Sequence, residues 1–258
     1  LNLLFPALFV FTESEVENIF SNDNKNQLFM NVEVALAEAQ SELGIIPDWA
    51  AKEFRQKADI KYLEHKEVVK ENSKVRHGLV ARLNVWKRSL NDEASEFLHY
   101  GATTVDIMDT VLVLQIDNSL DYLIKDLLEV ETHLLKLTKE HLNTYMAGRT
   151  LGQHALPITF GKKTGTWLAE NRRNIERLEH VRSKVQRSGI LKGAVGSYLG
   201  LGKQAIETEA IMMKKLGLAE PSKDDWHGIR DVFAEYAVTL AIISLSLIHI
   251  SEPTRQAT

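Results

Sequence analysis

"DIMDTVLVLQIDNSLDYLIKDLLEVETHLLKLTKEHLN", Asp106 to Asn143, decides the fold class. It contains neither Gly nor Pro. Met108, Leu112, Ile116, Leu120, Leu123, Leu127, Val130, Leu134 and Leu137 recur at spacings of four and three, the period of a helix with an apolar seam. The pattern predicts a single helix of roughly 35–40 residues, far above the usual ~11–12. At ~1.5 Å per residue it spans on the order of 55 Å. Such a helix cannot bury its seam alone and needs antiparallel neighbours or other chains.

The flanking sequence reads the same way. Gln27 to Leu43 carries a stripe of Leu28, Val32, Ala35, Leu36 and Ala39, closed by Gly44 and Pro47. "DWAAKEFRQKA" (48–58) and "KYLEHKEVVKENSKV" (61–75) are shorter helices. Phe160 to Ser188, "GLGKQAIETEAIMMKKLGL" (200–218) and "GIRDVFAEYAVTLAIISLSL" (228–247) supply three more, the last strongly apolar. No βαβ alternation is present. The expectation is all-α: a small N-terminal helical domain over 1–102, then an elongated long-helix bundle over 103–247 that lacks its C-terminal part. "SLSLIHISEPTRQAT" (244–258) breaks the character of the preceding helix and resembles translated sequencing-adapter read-through. Residues 248–258 are read as an artefactual tail, with the natural chain diverging after about Ile243.

Composition narrows the functions. With 44% hydrophobic and 26% charged residues, the 258-residue chain is an ordinary globular sequence with a sizeable core. A net charge of −4 gives no basic excess for nucleic acid. The apolar run Leu3 to Phe11 is broken by Pro6, lacks a basic flank and is too short to span a bilayer. Cysteine is absent, which excludes disulfides and thiolate metal sites and is compatible with a reducing, cytoplasmic setting. The nine histidines show no chelating spacing, so no metal or other cofactor is expected.

Five stretches can carry chemistry. In "LHYGATTVDIMDT" (98–110), Thr103 or Thr104 caps the long helix, with Asp106 three residues after Thr103. The motif is a plain cap, or a cap whose free N–H groups and hydroxyls also hold a carboxylate. "MAGRTLGQHALPITFG" (146–161) crowds Arg149, Thr150, Gln153 and His154 around one bend, read as a turn between two long helices restricted by Pro157 and Gly161. "SGILKGAVGSYLGLG" (188–202) has five glycines in fifteen residues, either a flexible connection or a loop whose backbone approaches a ligand. "VRHGLVARL" (75–83) carries His77 beside Gly78, and "DDWHGIRD" (224–231) clusters His227, Arg230 and Asp231 at a helix start. Each of these last two has an ordinary structural reading, as a helix histidine and as a capped helix with a local ion pair.

Taken together, "HYGATTVDIMDTVLVLQ", "GRTLGQHALPITFGKK", "GAVGS" and "WHGIRD", in that order, resemble the fumarase/aspartase superfamily, nearest the branch of adenylosuccinate lyases and 3-carboxy-cis,cis-muconate cycloisomerases. "IFSNDNKNQLFMNVEVALAEAQSELGIIP" (19–47) is similar to that branch's N-terminal helix. The resemblance runs from about Ile19 to Ile243. It implies a homotetramer whose long helices form a central bundle, with each active site built from three chains. It implies a small dicarboxylate-containing substrate and a β-elimination releasing fumarate, or in the cycloisomerases a related lactone-forming step. A base removes the proton beside a carboxylate, the charge spreads as an enediolate, and preorganised donors stabilise it.

The resemblance assigns substrate binding to Thr103, Thr104, Arg149, Thr150, Gln153, His154, Lys163, Gly193, Gly196 and Arg230. Thr103 and Thr104 match the family's Thr-Ser pair. His77 falls near the lyase "His-Asp" pair, with Gly78 in place of the Asp. His77 and His154 are the candidate proton-transfer residues. Two departures stand out. The family's mobile serine loop has no match here, so the expected base is missing and the chain as given is expected to be inactive. Leu151 stands where fumarase, aspartase and adenylosuccinate lyase have a histidine, a position at which the cycloisomerases also lack one. The leading expectation is an adenylosuccinate-lyase-like C–N lyase. The alternatives are a carboxymuconate cycloisomerase-like enzyme and a non-catalytic helical assembly module.

Overall fold

The computed structural model describes residues 14–223, 226 and 230–251. Its helices are α1 (Ser14–Ile19), α2 (Asn22–Glu42), α3 (Asp48–Gln56), α4 (His65–Val75), α5 (Gly78–Lys87), α6 (Asp92–Ser95), α7 (Thr104–Glu140), α8 (Phe160–Val185), α9 (Ala205–Lys215) and α10 (Asp231–Ser251). Between α7 and α8 lie two strands, β1 (Tyr145–Thr150) and β2 (Gln153–Thr159). The all-α expectation holds, and α7 has 37 residues, within the predicted length. By contacts the chain divides into two compact units. One takes the described residues up to Ser119 together with Lys184–Arg230; the other takes Leu120–Ser183 and the described residues from Asp231 onward.

The first unit is built round α2. Its ends are set locally: Ser21 accepts the Asn24 N–H at 3.1 Å at the start. At the other end Gly44, with φ +70°, turns the chain so that Ile45 N–H reaches the Gln40 carbonyl at 2.8 Å and Gly44 N–H that of Ser41 at 3.0 Å, a Schellman closure. The stripe read from sequence underestimates the burial, because α2 is enclosed nearly all round: Phe29, Met30, Val32, Val34, Ala35, Leu36 and Ala39 are all buried. Trp86 of α5 packs edge-on to Phe29 at 6.3 Å and beside Phe54 of α3 at 6.1 Å, and its indole N–H meets the Lys57 carbonyl. Buried polar residues Asn26, Glu33 and Gln40 repeat every seven positions along one line of α2. Each has a partner from elsewhere: Leu63 and Arg82, His99, and the Tyr100 carbonyl, respectively.

α7 changes character along its length. From Asp106 to Leu120 it is enclosed, with Ile107, Val111, Val113, Leu114 and Ile116 buried beside the polar Thr110, Gln115 and Ser119. Beyond that, burial narrows to Leu127 and Leu134, one residue in seven. In the second unit, Asn171 of α8 donates to the Leu127 carbonyl at 2.8 Å, Arg172 pairs with Glu131, and Thr138 meets Thr164 at 2.9 Å. A second heptad row, Leu128, Leu135 and Leu142, stays exposed, as do Val238, Ile242 and Leu245 of α10. α10 continues past Ser244 to Ser251, so the change of character read there does not end the helix.

One expectation is corrected. The stretch 146–161 is a β-hairpin rather than a turn between helices. Arg149 pairs with His154 and Thr150 with Gln153, and Leu151-Gly152 form the two-residue loop. Both loop residues have positive φ, 49° and 75°, as a type I′ turn requires. Pro157 lies inside β2 opposite Ala147, and Gly148 sits at a register shift where a Cβ would strike the Leu156 carbonyl at 2.5 Å. Gly161 lies in the first turn of α8. There a Cβ would meet the Thr138 and His141 carbonyls below 3.0 Å, so it serves close packing against the end of α7.

Candidate active site

The start of α7 is where the first unit gathers its predicted residues. Thr103 N–H donates to Asp106 Oδ2 at 3.0 Å, the returning half of the predicted capping box. The same carboxylate accepts Lys192 N–H on Oδ1 at 2.9 Å and Gly193 N–H on Oδ2 at 3.0 Å. Asp106 therefore joins the helix start to the glycine-rich loop and itself takes three of the N–H groups present there. The hydroxyls of half-buried Thr103 and Thr104 have no partner among the described residues. Gly101, φ +75°, lies so close to the loop that a Cβ would fall 2.9 Å from Leu201 Cδ2 and 3.0 Å from the Gly200 carbonyl.

Within 188–202, residues 190–193 are tied by their backbone N–H groups to α7 and α9. Thr110 Oγ1 accepts the Ile190 N–H at 3.1 Å, and Glu209 of α9 accepts that of Leu191 at 2.9 Å. Lys192 is buried and donates to Tyr198 Oη at 3.1 Å and to the Ser222 carbonyl, with Glu209 3.6 Å away. Tyr198 Oη in turn donates to Glu209 at 2.7 Å. Burial pushes the Glu209 carboxyl up, against the opposing pull of Leu191 N–H, Tyr198 and Lys192. Burial and then the Glu209 contact push the Tyr198 phenol up. Lys192, Tyr198 and Glu209 satisfy one another inside, while Ala194, Val195, Ser197, Leu199, Gly200 and Gly202 are exposed. Gly193 and Gly196 both have positive φ; at Gly196 a Cβ would also strike the Trp226 ring at 2.9 Å.

Behind the helix start, His99 Nδ1 lies 2.8 Å from Glu33 Oε1 of α2. Burial disfavours the imidazolium, but Glu33, aided by Asp106, outweighs it and holds the His99 pKa above the ordinary histidine range. Glu33 Oε2 is buried with no hydrogen-bond partner. Sequence reasoning missed His99, Glu33, Lys192 and Glu209. Glu33 and Glu209 sit within apolar helical patterns, and His99 meets Glu33 across 66 residues, so the only local signal was a charged residue inside an apolar stripe.

The other candidates fall as follows. His77 is the exposed N-cap of α5, its Nδ1 accepting from Val80 N–H at 3.3 Å. The cap leaves Nε2 to carry the ring proton of the neutral form. Arg230 pairs with Asp109 at 2.6 Å, one turn into α7. His227 lies outside the described residues. In the second unit Arg149, Thr150, Gln153 and His154 are all exposed on the hairpin, and Lys163 stands over the Trp167 ring at 5.2 Å. Among the described residues no His/Asp/Glu cluster could hold a metal ion, and no helix is long and apolar enough to cross a membrane.

The comparisons with known proteins follow the same lines. A family model described as Lyase matches residues 6–255. An N-acetyl-S-(2-succino)cysteine lyase of Dickeya dadantii is 36% identical over 92% of this chain and 52% of its own length. An adenylosuccinate lyase of Pyrococcus abyssi is 35% identical over 94% and 53%. A crystal structure of a fumarate lyase from Mesorhizobium sp. BNC1 superposes with a TM-score of 0.89 at 34% identity, over 95% of this chain and 57% of that one. A β-carboxy-cis,cis-muconate cycloisomerase from Acinetobacter calcoaceticus gives 0.87 at 28%, with the same coverage. The chain spans about half the length of the curated relatives it matches. It belongs to the Lyase family, within the fumarase/aspartase superfamily.

Proposed function

We propose that the protein is an adenylosuccinate-lyase-like C–N lyase that releases fumarate from an N-succinyl compound by β-elimination. The observation that carries this reading is the pair of unpartnered hydroxyls, Thr103 and Thr104, at the positive end of a 37-residue helix and beside a pinned glycine loop. A substrate carboxylate there gains charge as the neighbouring proton leaves. Hydroxyl donors held before the reaction stabilise that charge without reorganisation. His77 and His154 are the candidates for moving protons, and no cofactor is required for such an elimination. Arg149, Thr150, Gln153 and His154, exposed together on one hairpin, fit a homotetramer in which each chain completes a neighbour's site.

Two observations favour other leaving groups. The relative named for an S-succino compound makes sulfur an alternative to nitrogen. Leu151 can neither donate nor accept a proton, which favours the cycloisomerase-like reading.

The test uses the full-length protein, assayed for fumarate release from adenylosuccinate and from N-acetyl-S-(2-succino)cysteine, and for lactone formation from 3-carboxymuconate. Fumarate release that falls at least about a hundredfold in Thr103→Val is expected. Lactone formation without fumarate release would overturn the lyase reading. No turnover of any of the three would leave the helical assembly module.

A further inference from the structure

Among the described residues three carboxylates are buried, Glu33, Asp106 and Glu209, and Glu33 is held differently from the other two. Asp106 accepts three backbone N–H groups. Glu209 accepts Leu191 N–H and Tyr198 Oη, with the Lys192 ammonium 3.6 Å away. The Glu33 side chain is fully enclosed, yet its partner is His99 Nδ1 alone, 2.8 Å from Oε1, and Oε2 has none. A carboxylate enclosed with one oxygen unsatisfied costs stability rather than adding to it. Packing therefore does not account for Glu33; its one contact, the His99 ring, does.

His99 is itself an outlier. Its φ is +62°, a left-handed conformation uncommon outside glycine. Contacts on three sides hold the turn there. Glu33 takes the ring, Gln40 Nε2 donates to the Tyr100 carbonyl at 2.8 Å, and Gly101 packs against Gly200 and Leu201 too closely to admit a Cβ. Strain that its surroundings over-determine in this way accumulates at sites that bind or react. With Nδ1 committed to Glu33, the second ring nitrogen, Nε2, makes no hydrogen bond among the described residues. The side chain is 16% exposed, so the ring is not sealed in. Burial disfavours the imidazolium and Lys87 of α5 opposes it, but Glu33 of α2 and then Asp106 of α7 outweigh both.

We propose that Glu33 is a positioning residue of the active site, holding His99 with Nδ1 inward so that a cationic Nε2–H is offered, beside the Thr103–Thr104 helix start, to an anionic oxygen group of the substrate. A neutral imidazole that gives its Nδ1–H to Glu33 has a lone pair at Nε2 and can only accept there; the imidazolium donates from both nitrogens. Glu33 thereby decides whether this edge attracts an anion or repels it. The assignment rests on the reading above that the substrate lies at this helix start.

The test uses the full-length protein in two arms. In the first, histidine-labelled protein is followed by NMR at constant ionic strength with fumarate, with inorganic phosphate and with chloride alone. The His99 signal is assigned from its loss in His99→Gln. Either oxyanion is expected to shift the Nε2 signal and raise the His99 pKa, and chloride to do neither. A response to fumarate alone assigns a carboxylate partner, to phosphate alone a phosphate, and to both the shared chemistry. At high pH the neutral ring is expected to carry its proton on Nδ1. A proton on Nε2, or no response to either oxyanion, overturns the proposal without any Glu33 variant. In the second arm, kcat/KM for fumarate release is expected to fall as pH rises through the His99 pKa, mainly through KM. Glu33→Gln keeps an acceptor for Nδ1 but removes the charge. It is expected to move this alkaline limb down by at least about one pH unit, with KM approaching that of the unaltered protein at the acid end. Glu33→Asp keeps the charge and is expected to restore the limb, which a role in folding alone does not predict. A limb that stays in place in Glu33→Gln overturns the proposal. Absence of fumarate release from either succinyl substrate overturns the lyase reading instead, and the first arm then decides.

Discussion

The Asp106 carboxylate accepts the backbone N–H of Gly193, 87 residues further along the chain, at 3.0 Å. Through this bond and its companions to Thr103 and Lys192, one side chain fixes both the first turn of α7 and the glycine-rich loop. Asp106→Asn would turn an amide nitrogen toward one or more of those N–H groups. It is expected to cost about 1–3 kcal/mol in urea unfolding. The Gly193 amide is expected to exchange slowly in the parent protein and faster in the variant.

Glycines with the same backbone conformation differ in what surrounds them. At Gly101 an alanine faces both a positive φ and contacts of 2.9–3.0 Å, whereas at Gly152 nothing lies within 4 Å. Gly101→Ala is expected to cost about 2–4 kcal/mol, and Gly152→Ala about 1 kcal/mol. Thermal melts of the two variants side by side check the difference, and equal losses would refute the close-packing argument.

Leu151 is fully exposed (101%) and has φ +49°, so it gives the hairpin no packing and strains its turn. Asn accepts this conformation more readily. Leu151→Asn is expected to stabilise the protein by up to about 1 kcal/mol and to slow amide exchange in β1 and β2. A loss of stability would mean that Leu151 is held by a partner.

Lys192 and Glu209 are both buried and face each other. Lys192→Met would leave the Glu209 carboxylate inside without its cation, at an expected cost of about 3–5 kcal/mol. Lys192→Met with Glu209→Gln removes the stranded charge as well, so the pair is expected to be less destabilised than the sum of the two single variants. A double-mutant cycle by urea denaturation measures the coupling.

The His99 pKa is raised in the folded chain by Glu33. A group raised on folding contributes its full stabilisation below its unfolded pKa, here about 6.5. That contribution is lost as pH rises through the higher, folded value. Unfolding free energy measured from pH 6 upward is therefore expected to fall across the interval just above the ordinary histidine range. His99→Gln should flatten this part of the profile, and an unchanged slope would assign it to other groups.

The helices were readable because a period of 3.6 sustained over many residues without Gly or Pro has few alternatives. α7 follows from its own letters. The hairpin was not readable for an equally local reason. Its strands are short, β2 contains Pro157, and its turn is Leu-Gly in place of the Asn-Gly or Asp-Gly that announces a type I′ loop. Arg149, Thr150, Gln153 and His154 were recognised as a polar group, but their pairing across two strands was not.

By itself the sequence determined the helical class, the length of α7, the Asp106 half of the capping box at its start and the superfamily, because each is written in neighbouring residues or in ordered motifs. Only the tertiary structure decided that Asp106 holds the Gly193 loop, that Glu33 meets His99 and that buried Lys192 lies against Glu209. These are contacts between residues far apart in the chain. Their strength depends on burial and on which charges folding brings within reach, and neither quantity is encoded in local spacing.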